Sequence, residues 1–120
     1  MALAAPLALA PLPPLGDLPN HLARIAVLAG DPALAAFYEV RWSIVPDLGI
    51  DLIGPPLARA VGIRGAGTAL AWVAAALPVL GALALASAAG GPMGWWPFAA
   101  ALAAWNRTYL LGFLNFSLAM

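Results

Sequence analysis

The sequence predicts an all-α fold whose long apolar helices belong in a membrane, and three observations carry that prediction. Hydrophobic residues make up 64% of the 120-residue chain and charged residues 8%, with a mean hydropathy of +0.95. A water-soluble domain carries about 45–50% apolar and about 25% charged residues, so this chain has too little polar surface to face water on all sides. Every charged residue except Arg107 lies between Asp17 and Arg64, and residues 65–105 contain no charge at all. A bilayer-spanning helix needs about 20 apolar residues, which that run supplies.

The charge pattern divides the chain into three. Residues 1–15 are apolar but too short to span, and Pro6, Pro11, Pro13 and Pro14 disfavour a continuous helix there. They read as the remnant of a first membrane helix. Residues 16–64 form an amphipathic, interfacial or extramembrane helical segment. Residues 65–120 form a hydrophobic membrane region of about two helices, or one hairpin. The apolar run still in progress at Met120 reads as truncated.

The middle segment holds three helix-like pieces. Asp17 is placed to cap the first, with Pro19 in the first turn. Leu18, Leu22, Ile25 and Ala29 then share one face, while Asp17, His21, Arg24 and Leu28 form a neighbouring stripe. The second piece opens with Asp31 at the cap and Pro32 at the first helical position, followed by Leu34, Phe37, Tyr38 and Arg41 on one side. The alternation Tyr38-Glu39-Val40-Arg41-Trp42 offers a short extended stretch instead. The third piece begins near Asp47, and the Gly54-Pro55-Pro56 triplet should break or kink it.

In the apolar region, residues 66–89 are long enough to cross, with Trp72 near one end and Pro78 inside. Their alanine and glycine content permits close helix contacts. Residues 90–94, Gly-Gly-Pro-Met-Gly, carry turn chemistry, and Trp95 and Trp96 suit an aromatic belt. Residues 97–105 are too short to cross before Asn106 and Arg107, which fits a half-helix or tight hairpin.

Several chemistries are excluded. Cysteine is absent, which removes disulfides, thiolate metal sites and a cysteine nucleophile. No phosphate loop, dinucleotide fingerprint, paired-histidine zinc motif or nucleophile elbow is present, so neither a metal nor a cofactor is expected. Lysine is absent and net charge is zero, leaving no basic footprint for nucleic acid. The residues that remain for chemistry are few. Asp17 and His21 are the catalytic candidates, a carboxylate and an imidazole one helical turn apart; the competing role for Asp17 is a plain cap. Arg24, Asn106 and Arg107 are the substrate-binding candidates. Arginine's planar fork matches phosphate, and Arg107 is the only charge in the apolar region. An arginine among lipid tails costs about 2.5–3.5 kcal/mol, so Arg107 is expected against protein or an anionic headgroup.

Four stretches carry a resemblance: PPLGDLPNHLAR (13–24), FYEVRW (37–42), VPDLGIDLIGPPLAR (45–59) and WNRTYLLGFLN (105–115). With them the chain resembles the N-terminal part of a group of uncharacterised multi-pass bacterial inner-membrane proteins. The wider layout is similar to the C-type, polyprenyl-phosphate-sugar-dependent glycosyltransferases, in which an extracytoplasmic loop with an acidic residue follows the first membrane helix. That resemblance implies Asp17 as the loop acid, and the lipid bilayer and a polyprenyl-phosphate-linked sugar as partners. It also implies an extracytoplasmic middle segment, whereas Arg24, Arg41, Arg59 and Arg64 taken alone would place the segment in the cytoplasm. The chain lacks the full first helix, later helices and C-terminal domain of that layout. The alternative is a non-catalytic membrane protein, a transporter part or an assembly factor.

Overall fold

The computed structural model describes residues 12–44, 48–90 and 94–119, and is all-α, with no strand among them. Five helices follow in order: α1 (Leu18–Ala29), α2 (Leu48–Ala88), α3 (Trp96–Ala104), α4 (Arg107–Leu110) and α5 (Leu114–Ala119). The remnant helix expected at residues 1–15 and the helix start expected at Asp47 fall wholly or mainly outside the described residues.

Helix α1 forms where its apolar spacing demands. Leu18 and Ile25 are fully buried, and Gly30 ends the helix in the left-handed conformation at φ 87°, its N–H returning to the Val27 carbonyl. Asp17 stands at the cap position, yet its side chain caps nothing. Its backbone has helical angles, and its carboxylate turns to other partners described below.

The second helix-like piece does not form. Asp31 does accept the Ala33 N–H at 3.0 Å, as a cap would. Residues 32–37 then close only turns, and residues 38–44 are neither helix nor strand. A helix nucleus is costly, and a short one survives by packing an apolar face. Phe37 and Tyr38, which would form that face, are exposed.

Helix α2 runs through the Gly-Pro-Pro triplet, contrary to the break expected there. Pro55 and Pro56 keep helix-compatible φ angles, and Gly54, Pro55 and Ala58 are buried. At Gly54 the helix meets α1 closely: a Cβ there would stand 2.6 Å from Ile25 Cγ1. The break comes instead at Gly62, where φ is 78° and ψ 161°. Only glycine adopts such a backbone without strain, so the chain bends where a side chain is missing rather than where an N–H is missing. Both halves pack on α1, Gly54 against Ile25 and Gly67 against Leu22 and Leu18. The core is this seam: Leu15, Leu18 and Ile25 meet Ile50, Ala58, Ala66, Leu70, Ala71, Ala74 and Ala75, with Tyr109 and Leu114 closing it. Small residues along α2 let the backbones approach, as the composition anticipated.

Helix α2 is long and apolar enough to cross a membrane, and it is the one such helix among the described residues. Its part beyond Gly62, residues 63–88, measures about 39 Å at 1.5 Å per residue, against a hydrocarbon core of about 30 Å. Pro78 is accommodated within it. Helix α3 is only nine residues and spans about 14 Å, as its length in the sequence required. Gly90 and Gly94 carry positive φ angles on either side of the turn expected there.

Candidate functional site

The start of α1 is held by a backbone clasp. The Gly16 and Asp17 N–H groups donate to the Leu110 and Leu111 carbonyls at 3.2 and 2.8 Å. The clasp needs Gly112, whose φ is +83° and whose hypothetical Cβ would sit 2.6 Å from the Asp17 backbone nitrogen. The turn between α4 and α5 therefore fixes where the Asp17 side chain stands.

From that position the Asp17 carboxylate uses both oxygens. Oδ1 accepts a hydrogen bond from Asn20 Nδ2 at 2.6 Å, and Oδ2 lies 3.5 Å from His21 Nε2. His21 Nε2 is buried yet makes no hydrogen bond. At 3.5 Å it is within ion-pairing distance of the carboxylate should the imidazole be protonated, but the hydrogen-bond geometry is not met. A buried polar atom left unpaired costs about 1–3 kcal/mol, which a polar group arriving from outside would relieve. Asp17 and His21 are both half-buried and line a cleft of about 450 Å³ with Thr108, Phe113, Asn115 and Phe116.

The other candidates have different surroundings. Arg24 forks onto Asp51 of α2: Nε donates to Oδ1 at 2.6 Å and Nη2 to Oδ2 at 2.5 Å. Asp51 is 3% exposed and Arg24 58%, so the pair joins a buried carboxylate to a guanidinium that keeps one side outside. Asn106 is used by the backbone. Its Oδ1 caps α4 by accepting the Tyr109 N–H at 2.9 Å, and its Nδ2 donates to the Ala103 carbonyl at 3.2 Å. The turn at Asn106 sends Tyr109 inward, where its hydroxyl donates to the Ala71 carbonyl at 3.0 Å and its ring meets Trp105 edge-on at 5.6 Å. The same turn sends Arg107 outward. Arg107 is exposed, so of the two surroundings expected for it, protein or an anionic headgroup, protein does not cover it, and it forms no ion pair among the described residues. It directly precedes Thr108, a cleft residue.

The sequence thus nominated the Asp17–His21 pair, and the fold keeps the two together. It did not nominate Thr108, Phe113 and Phe116 as cleft walls, nor Asp51 as the partner of Arg24. Asn115 lines the cleft and also caps α2 by accepting the Ile50 N–H at 3.1 Å. The available signal was Gly112, whose place between apolar residues marks a turn that must return α5 toward an earlier element. Among the described residues no group of three or more histidine, aspartate or glutamate side chains is arranged to hold a metal ion.

No family model matches the chain, and no curated protein or solved structure matches it.

Proposed function

We propose that this chain is part of a multi-pass bacterial inner-membrane protein that transfers a sugar from a polyprenyl-phosphate carrier, with Asp17 as the base. The observation that carries the reading is the Asp17 carboxylate, oriented by Asn20 and beside the unpaired His21 Nε2, in a cleft that also holds Thr108. A carboxylate serves as a base when it is positioned and can reach its substrate's proton. In the proposed step an acceptor hydroxyl attacks the anomeric carbon of the carrier-bound sugar. Asp17 takes the hydroxyl proton, the bond between that carbon and the phosphate oxygen breaks, and the polyprenyl phosphate leaves with the electron pair. His21 offers its nitrogen to a sugar hydroxyl. Arg107, exposed beside Thr108, offers its guanidinium to the leaving phosphate.

The test uses the chain reconstituted in lipid vesicles with a radiolabelled polyprenyl-phosphate sugar. Label should leave the carrier for an added sugar acceptor, and Asp17→Asn should abolish the transfer while leaving the helical circular dichroism unchanged. Transfer that is equal in both proteins would refute the base assignment.

A second reading, a non-catalytic transporter part or assembly factor, is favoured by one observation. Asn106 and Arg24 are both engaged in holding helices together. On that reading Asp17→Asn is silent in every phenotype, while substitutions at Arg107 are not.

A further inference from the structure

Between α1 and α2 the chain exposes a concentration of large apolar side chains that the fold does not use. Within residues 37–44, Phe37 is 80% exposed, Trp42 62% and Ile44 100%, and Tyr38 and Val40 are also exposed. Scattered apolar residues on a surface need no explanation, but five within eight residues of a segment without helix or strand do. None belongs to the buried core. Among them stand Glu39 and Arg41, ion-paired at 3.0 Å and themselves exposed.

We infer that residues 37–44 form an anchor that inserts into the headgroup region of the bilayer. The residue types are those of an interface: tryptophan and tyrosine put an apolar ring toward the acyl chains and a polar atom toward water, and a neutralised ion pair tolerates the headgroup level. The position in the fold agrees. Arg59 Nη2 donates to the Ala29 carbonyl at 3.3 Å, which ties the chain just before the loop to α2 three residues ahead of the Gly62 bend. The charge-free part of α2 begins just beyond that bend, after Arg64. The loop therefore starts at the polar mouth of the apolar stretch rather than midway along it. Large apolar side chains are also exposed on the adjoining helix, at Leu52, Ile53 and Val61 before the bend and at Val73, Leu77, Leu80 and Leu85 beyond it. A single lipid surface covers all of these, with tails beside the far part of α2 and headgroups beside the loop. For the Asp17 site the consequence is a fixed depth, because α1 is bound to the loop at one end and carries the cleft at the other.

The inference rests on α2 lying in a bilayer, and the experiment separates the two. The absence of cysteine allows single-cysteine labelling of the otherwise unaltered chain. Ile44→Cys and Leu80→Cys are each labelled with an environment-sensitive fluorophore in phosphatidylcholine vesicles. Ile44 is fully exposed, so its replacement removes no packing. The expected result is loss of Ile44-label emission with lipids brominated near the headgroup, together with protection from aqueous iodide. The Leu80 label should respond to bromine deep in the acyl chain. A Leu80 label quenched by lipid beside an Ile44 label open to iodide would overturn the anchor while leaving the membrane helix standing. Loss of lipid quenching at both positions would overturn both. An Ile44 label quenched only from the bilayer centre, or shielded only as protein concentration rises, would replace the interface with a buried segment or a second copy of the chain and so refute the anchor.

Discussion

Replacing Arg24 with alanine should destabilise the fold far more than replacing its partner Asp51. The two side chains share one bidentate contact, but their surroundings differ: Asp51 is 3% exposed and Arg24 58%. Arg24→Ala leaves a carboxylate inside the seam between α1 and α2 without the guanidinium that compensates it. Breaking a buried pair in this way costs about 3–5 kcal/mol. The lower end, about 3 kcal/mol, applies here because the pair is open on the arginine side and partly screened. Asp51→Ala removes the buried charge itself and leaves a guanidinium that water can reach, for a cost of about 1–2 kcal/mol. The double variant Arg24→Met with Asp51→Leu, which fills the space with apolar atoms, should return to within about 1 kcal/mol of the parent. Denaturant titration in detergent micelles, followed by circular dichroism at 222 nm, orders the three variants. Equal losses for the two single variants, or a larger loss for Asp51→Ala, would refute the argument that desolvation of the carboxylate dominates.

Three further outcomes follow from the contacts around the cleft. Gly112→Ala should cost about 1–2 kcal/mol from the left-handed backbone alone, and because its Cβ would meet the Asp17 nitrogen it should also move the Asp17 amide resonance in an NMR spectrum; an unmoved resonance would mean the clasp is not as described. Asn115→Ala removes the cap at Ile50 and should lower stability by about 1 kcal/mol, with Asn115→Asp largely retaining it, as read by the same titration. Tyr109→Phe removes the hydroxyl bond to Ala71 and should cost about 1 kcal/mol while leaving helix content unchanged; no loss would indicate that the Ala71 carbonyl gains little from a second donor.

Composition and charge placement determined the class of this protein by themselves. A chain with 64% hydrophobic residues and a charge-free run from residue 65 to 105 reads as apolar helices, and the described residues are all-α with one helix long and apolar enough to cross a membrane. Helix α1 was legible for the same reason, since its apolar residues recur at helical spacing, and so was the adjacency of Asp17 and His21, a property of any helix at a separation of four residues. The short helix before Asn106 followed from its length.

Tertiary structure decided the rest. Phe37 and Tyr38 have helix-compatible spacing, but no neighbour buries them, so the piece they belong to stays unwound. Pro55 and Pro56 carry a local signal to break, and burial of Gly54, Pro55 and Ala58 in the core seam outweighs it. Arg24 lies on the stripe of Asp17 and His21, yet it reaches Asp51, a residue 27 positions away whose approach depends on how closely α1 and α2 pack at Gly54 and Gly67. The walls of the cleft come from Thr108 to Phe116 because Gly112 admits a left-handed turn against the Asp17 backbone. Local spacing fixes which residues share a helix face; which faces then meet is a matter of contact distance between distant segments, and only the folded chain contains it.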